Sequence, residues 1–453
     1  MAQPLITVYI TNYNYGRFIQ QAVDSVLAQT CQDFELLIID DGSTDDSLLV
    51  IESYRNHPKI SIILQKNKGL NATNNVAMHH ARGKYLIRLD ADDFFDRAAL
   101  GVMSAILEAD DELGLVFPDY HYVDGKGERI GSHRRHLFDD EVTLYDQPAH
   151  GACTMIRLAF LRALGGYDES FTCQDGYELW VKFVTFHKVT NVNRPLFFYR
   201  QHNENLSTDQ SRLLSTRKLI KAKFVQTYLN PINTLFILPI RLKQFSEATW
   251  PLFPFQTSTV LGEKIDACLN ARSLAKLVLV CDCPQLLAQL KNDYQFNERV
   301  LVMHRPVEYA SQRAHIRLTI DMILSEVGAS FDGIAVISPD YPFVDTSVLD
   351  EVVDTLNIFQ SDAVITVNAG KGIYYRHNGQ TLKPILELDQ FTVYEREVLY
   401  NGAGGVMVST MANYLRNRRM ISDRVAHVLL DFRQSFGVSN EFNFQLFKHF
   451  TQS

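Results

Sequence analysis

LIIDDGSTDD, Leu37–Asp46, and YLIRLDADD, Tyr85–Asp93, decide how this chain is read. Each is a short apolar run that stops abruptly in clustered aspartates. A parallel β-strand has this form when its C-terminal end opens into a site for a cation and a phosphate-bearing ligand. Carboxylates gathered at two strand ends are costly unless something positive sits between them. Mg²⁺ or Mn²⁺ bound to a nucleotide diphosphate meets that need.

Outward from these turns, β and α patterns alternate. Strands are expected at Leu5–Thr11, Phe34–Ile39, Ile60–Leu64, Tyr85–Leu89 and Leu115–Tyr122. Helices are expected at Tyr15–Ala28, Asp45–Tyr54 (capped by Ser43 or Thr44), Leu70–Ala81 and Ala98–Ala109. This order implies a mostly parallel sheet with helices on both faces. Gly125–Gly131 reads as a turn and Ser132–Pro148 as a loop before the apolar stretch Ala152–Ala163. Leu206–Asn230 is helical and basic. The alternation restarts near Leu235, with strands at Leu235–Ile240, Leu277–Cys281, Arg299–Met303, Ile334–Ser338 and Ala363–Val367. Helices are expected there at Thr257–Asn270, Gln285–Tyr294, Ala310–Val327 and Val348–Ile358. The expected fold class is α/β, with two domains at 1–205 and 235–453, each a mostly parallel sheet flanked by helices, joined by a helical connector at 206–234.

A chain of 453 residues is too long for one ordinary core. Its 46% hydrophobic and 21% charged residues are a soluble globular mixture. A formal charge of −8 gives no support to nucleic acid as the partner, and the basic run His133–His136 reads as a solvated loop rather than a phosphate clamp. Six cysteines suit a reducing cytosol, and Cys281-Asp282-Cys283 lacks the second pair a zinc site needs. The first residues, MAQPLITVYITNYN, read as a strand rather than a signal peptide. No run approaches the roughly 18 apolar residues of a membrane span. The expected location is the cytoplasm, with peripheral association at the inner face of the membrane as the remaining mode of attachment.

Residues 5 to about 205 resemble the family 2 inverting glycosyltransferases of the nucleotide-binding A-type (GT-A) fold. Three ordered pieces carry the resemblance: Val8–Ser47, Asn67–Asp93 and the late acidic motif CQDGYELW with YRQHNENLS. The resemblance implies that Thr11 and Tyr13 border the nucleotide base and that Asp41 bonds it. Read from the residues, Asp41 is either an acceptor for a base N–H or a cap for the following helix. Asp40 reads as structural. Lys66, Gly69 and Asn75 fall in the family's middle segment on the donor side, where the family usually has an arginine and this chain has Asn74. Asp90 and Asp92 match the metal motif; one intervening residue lets both carboxylates reach one ion. Asp93 reads as support for the turn.

Asp175 matches the catalytic base, the carboxylate that takes the acceptor proton during an inverting attack. Gln174 stands where the family usually has glutamate. Glu178 lies on the same helix. Trp180 either stacks on a sugar or packs against the sheet. His150–Phe171, with the turn at Gly166 and Tyr167, matches the segment lining the acceptor side. His202 matches a basic residue that closes near the diphosphate.

Residues 235–445 resemble, more weakly, the cytidylyltransferases that make CMP-activated acidic sugars and their spore-coat relatives. The pieces are FILPIRLKQF, TVLGEKIDACLNA, LVLVCD, VMHRPVEYA and IAVISPDYPFVDTSVLDEVVDTL. Asp340 matches that family's metal aspartate, and Arg241 and Lys243 its basic phosphate loop. The loop lacks glycines before Gly262, and Asn440 and Asn443 stand where aspartates are expected, so the resemblance implies a retained fold without nucleotidyl transfer.

The function expected is metal-dependent transfer of a sugar, with inversion, from a nucleoside-diphosphate sugar (UDP being the commonest nucleotide) to a glycan or lipid-linked sugar acceptor in surface polysaccharide synthesis. One alternative is a bifunctional enzyme that also activates an acidic sugar with CTP. The other is a non-catalytic nucleotide-sugar-binding or scaffold protein.

Overall fold

The computed structural model describes residues 3–134, 146, 151–202, 210–310, 314–370, 374–377, 379–385 and 399–452. Most of the loop expected at 132–148, with Arg135 and His136, lies outside them. The chain divides into two compact units, Met1–Ile220 with Gly372–Glu397, and Lys221–Lys371 with Val398–Ser453.

Seven of the nine strands described in the first unit's sheet form its main run: β1 (Ile6–Asn12), β2 (Phe34–Asp40), β3 (Ile60–Leu64), β4 (Tyr85–Asp90), β5 (Leu113–Val123), β6 (Met155–Arg157) and β7 (Lys188–Arg200). They lie side by side as β3-β2-β1-β4-β6-β5-β7, with β1 parallel to both β2 and β4, and β6 antiparallel to its neighbours. β1, β2 and β4 are buried nearly throughout, as central strands covered on both faces are. The helices are α1 (Ile19–Leu27), α2 (Ser47–Glu52), α3 (Leu70–His80), α4 (Ala99–Ala109), α5 (Leu158–Ala163) and α6 (Asp175–Phe186). Ile6, Val8 and Ile10 of β1 and Tyr85, Ile87 and Leu89 of β4 form one core with the apolar faces of α1 and α4.

The second unit repeats this plan. Its strands are β8 (Thr234–Ile240), β9 (Leu274–Cys281), β10 (Val300–His304), β11 (Gly333–Ile337), β12 (Ala363–Gly370), β13 (Leu399–Thr410) and β14 (Val425–Leu429). Their order, β10-β9-β8-β11-β13-β12-β14, matches the first sheet strand for strand, and so does the sense of each pairing. In both sheets the second and third strands are added on one side of the first strand and the fourth on the other. The reversal leaves a crevice at the C-terminal ends of the first and fourth strands, the usual ligand position of open α/β sheets.

Several local expectations change. Ser43 and Thr44 do not cap α2: Asn12 and Asn14 hold the Ser43 hydroxyl, and Asp45 accepts from Ser47 N at 3.0 Å instead. Arg129–His133 is a strand paired with β5, so the expected turn closes earlier, by Asp124–Glu128 bonds. The helix expected at Ala310–Val327 is two, Val307–Ala310 and Ile316–Val327. Among these strands, β6, β7, β13 and β14 are additions; the stretch NVNRP breaks the alternation in β7.

Candidate active site

The alternation of β4 builds the site. Tyr85, Ile87 and Leu89 enter the core, so Arg88 and Asp90 share the opposite face. Register sets Tyr9 beside Arg88 and Thr11 beside Asp90. Asn74 arrives on that face from α3 and Asp175 from the first turn of α6. Oδ2 of Asp175 accepts from Arg88 Nη1 and, at 3.3 Å, from Asn74 Nδ2. Arg88 Nε lies 3.0 Å from Asp90 Oδ1, which also accepts from the Thr11 hydroxyl at 3.2 Å. The Tyr9 hydroxyl donates to Asn74 Oδ1 at 3.1 Å. One guanidinium thus joins the first aspartate of the acidic turn to the carboxylate expected to act as base.

The electrostatics follow from burial. Loss of solvent pushes Asp90 up to about 6, because Arg88 only partly offsets it while Asp92 and Asp175 add to it. Burial opposes the charge on Arg88, but Asp175 and Asp90 outweigh it and hold its pKa well above the ordinary range. Asp93 is driven well above the ordinary carboxylate range by burial, then by Asp92 and Asp90. Burial likewise raises the Tyr9 and Tyr167 hydroxyls.

Asp92 lies on the next turn. His202 Nε2 is 2.9 Å from its Oδ2, and the His202 ring stacks on Phe18 at 5.7 Å. Arg200, only 1% exposed, fixes this turn: its N donates to Asp93 Oδ1 at 2.8 Å and its Nε to the Asp92 carbonyl at 2.6 Å. Asp90 Oδ2 and Asp92 Oδ1 accept no hydrogen bond from any described residue. Two hard oxygens with a free lone pair each, beside an aspartate whose ionisation is opposed by burial, fit Mg²⁺ or Mn²⁺. No group of three or more His, Cys, Asp or Glu arranged to hold a metal ion occurs among the described residues, so ligand oxygens and water would complete the shell.

On the donor side, Asp41 caps no helix. Its carboxylate accepts from Gln65 Nε2 at 2.7 Å and from the backbone N–H groups of Lys68 and Gly69, both at 2.9 Å, fixing the loop that leads into α3. Gly69 stands at the start of α3 with φ of +86°. Tyr13 is 48% exposed and Lys66 is exposed. Asp40 is structural: it takes Asn12 Nδ2 at 2.8 Å and Ser43 N at 2.9 Å.

The acceptor-side expectations fare unevenly. Asn75 bonds both backbone groups of Tyr167, the N–H at 2.9 Å and the C=O at 2.8 Å, so it braces the Gly166–Tyr167 turn instead of reaching the donor side. Gly166 has φ of +74°, and a Cβ there would lie 2.7 Å from Asn75 Oδ1. Tyr167 is buried beside Tyr9. Glu178 is buried and pairs with Lys182 at 2.5 Å, which removes it from the reacting face. Trp180 is fully buried with its ring edge-on to Phe117 at 5.7 Å; it packs against the sheet and cannot stack on a sugar. Gln174 turns away in a left-handed conformation, and Arg217 donates to its Oε1 at 2.5 Å.

In the second unit, Tyr341 N bonds Ser338 O at 3.4 Å after β11, as Asp93 N bonds Asp90 O at 3.1 Å after β4. Asp340 therefore stands where Asp92 stands, and Ser338 replaces Asp90. The Asp340 carboxylate is occupied by Lys243 Nζ at 2.5 Å and Trp250 Nε1 at 3.2 Å. Arg241 donates to the Ala310 carbonyl. The groups expected to hold a metal and a triphosphate are thus spent on one another and on backbone. Asn440 caps the final helix through Asn443 N at 2.9 Å, and Asn443 Nδ2 holds the Gly437 carbonyl at 2.7 Å.

Arg88 and Arg200 are the site residues that motif reading passes over, and Asn74, read only as a missing arginine, makes a contact of its own. A lone arginine inside the apolar run YLIRLD was the available signal, since a buried charge in a strand needs a partner.

The N-terminal half carries a glycosyltransferase family 2 domain: residues 7–165 match the profile described as Glycosyl transferase family 2. Among curated proteins, the chain is similar to the chondroitin synthase of Escherichia coli, 31% identical over 216 residues, which are 45% of this chain and 30% of that protein. It is also similar to the hyaluronan synthase of Pasteurella multocida, 30% identical over 209 residues, 45% of this chain and 21% of that protein. The chain thus spans less than a third of the length of either relative. Among solved structures, it is similar to S. aureus TarS 1-349 (18% identity, TM-score 0.40, 50% of this chain and 66% of that one). It is similar to the mannosyltransferase PcManGT from Pyrobaculum calidifontis, solved with GDP-Man and Mn²⁺, at the same identity and TM-score, over 51% of this chain and 67% of that one. No described helix is long and apolar enough to cross a membrane.

Proposed function

We propose that this chain transfers a sugar, with inversion, from a nucleoside-diphosphate sugar to a glycan or lipid-linked acceptor in polysaccharide synthesis. The observation that carries the reading is the meeting of Asp90 and Asp175 on one guanidinium, next to Asp92. The family 2 match and the chondroitin and hyaluronan synthase relatives support the reaction class. Asp175 Oδ1 accepts the proton of the acceptor hydroxyl. The acceptor oxygen bonds the anomeric carbon as the bond from that carbon to the diphosphate oxygen breaks, and the electron pair leaves with the nucleoside diphosphate. Asp90 and Asp92 would hold a divalent cation, which when bound would neutralise charge on the leaving diphosphate. Thr11, Tyr13 and the loop fixed by Asp41 border the donor nucleotide, with UDP the expected nucleotide. His202 sits against Asp92, in reach of the diphosphate side.

The second unit supports a bracing or binding role on a nucleotidyltransferase-like frame, without nucleotidyl transfer; the Lys243–Asp340 pair and Ser338 favour this over the bifunctional alternative. The reading is tested by incubating the chain with a panel of UDP- and GDP-sugars, Mg²⁺ or Mn²⁺, and chondroitin or hyaluronan oligosaccharides, and measuring released nucleoside diphosphate. Release with one donor that requires metal and stops in Asp92→Ala is expected. No release with any donor overturns the reading.

A further inference from the structure

We propose that Arg88, with Asn74, is a positioning residue for the base, clamping one oxygen of Asp175 so that only the other faces the acceptor. This deepens, and rests on, the transferase reading. Both hydrogen bonds that the Asp175 carboxylate accepts from described residues end on Oδ2: one from Arg88 Nη1, one from Asn74 Nδ2 at 3.3 Å. Oδ1 accepts nothing from any described residue. A carboxylate held at one oxygen by two donors from different elements cannot rotate about its C–C bond, and its free oxygen keeps one direction. General-base catalysis requires that constraint, since a displacement of about 1 Å costs about 10²-fold in rate.

The clamp is itself held from behind. Tyr9 fixes Asn74 through its amide oxygen, which leaves the amide nitrogen aimed at Asp175. Arg88 is 5% exposed, and its Nε side abuts Asp90 at 3.0 Å, so the guanidinium has one orientation open to it. Gly151 closes the remaining side: a Cβ there would lie 2.8 Å from Arg88 Nη2 and 3.3 Å from Asp175 Oδ2. The same guanidinium touches the metal-motif aspartate and the base, so the donor and acceptor halves of the reaction share one positioning group.

The experiment compares full-length wild type with Arg88→Met, Arg88→Lys, Asn74→Ala, Asp175→Asn and the double variant Arg88→Met/Asp175→Asn. The assay is nucleoside diphosphate release from the panel of UDP- and GDP-sugars, with chondroitin or hyaluronan oligosaccharides as acceptor. Arg88→Met should lower kcat about 10²-fold with KM for the donor changed less than about threefold. Arg88→Lys should recover part of the loss. The double variant should be no slower than Asp175→Asn alone, because a residue that acts through the base has nothing left to position. Losses that multiply, or a rise in KM without loss of kcat, overturn the inference while leaving the transferase reading intact. Wild type inactive with every donor overturns that reading and the inference with it. Should Arg88→Met fail to fold, Asn74→Ala, which removes no charge, carries the kcat test. The ¹⁵N signals of the Arg88 side chain supply a readout free of activity: they should shift in Asp175→Asn, and unshifted signals overturn the clamp.

Discussion

Acidification from about pH 7 to about pH 5 should weaken the hold of the chain on Mn²⁺ about tenfold. The cause is Asp90. Burial, only partly offset by Arg88 and increased by Asp92 and Asp175, raises its pKa from 3.8 to about 6. A metal takes only the ionised carboxylate, so a proton must leave first. With a midpoint near 6, about nine-tenths of Asp90 is ionised at about pH 7 and about one-tenth at about pH 5, which gives a roughly tenfold loss. Stability without metal runs the other way. Asp90 is raised in the folded state, so between about pH 4 and about pH 6 the folded chain keeps a proton the unfolded chain releases, and stability falls as pH rises through that window. The full rise corresponds to about 3 kcal/mol. Adding Mn²⁺ should therefore raise the melting temperature more at about pH 7 than at about pH 5. Free Mn²⁺ by electron paramagnetic resonance across a buffer series, with thermal unfolding in parallel, measures both. An affinity flat from about pH 7 to about pH 5, with any weakening confined near pH 4, would refute the argument that buried Asp90 is a ligand.

Asp175→Asn should lower turnover by ~10²–10⁴-fold with nucleotide affinity nearly unchanged, read by kinetics and calorimetry; near-normal turnover would move the proton acceptor elsewhere. Gly151→Ala should depress kcat with the donor KM preserved, because its Cβ would press on both Arg88 and Asp175. Trp180→Ala should cost about 3–5 kcal/mol in denaturant unfolding, as loss of a fully buried ring does; a change in donor or acceptor KM without loss of stability would return the ring to a sugar-binding role. The full chain should release no pyrophosphate from CTP with acidic sugars, since Lys243 occupies Asp340 and Ser338 replaces the first aspartate; turnover abolished by Asp340→Ala would establish the bifunctional alternative.

Much of this site was written in local chemistry. Runs such as LLIID and YLIRLD are central strands because both faces of a parallel sheet are buried, and their terminal aspartates mark the crevice where the strand order reverses. Those patterns are local, so the sequence by itself determined the α/β restart near Leu235, the family 2 character of the first unit, and the candidates Asp90, Asp92 and Asp175. Other properties depend on residues far apart in the chain, and only the tertiary structure decided them. It carried Asn74 and Asp175, 101 positions apart, to the two sides of one carboxylate bond. It turned Trp180 and Glu178 inward, because the face of α6 that meets the sheet is set by packing and not by motif spacing. It also set Lys243 on Asp340, 97 positions away, closing a site whose separate groups read as open. A strand end announces its charge in sequence, whereas the partner that satisfies or frees that charge is chosen only when distant elements pack.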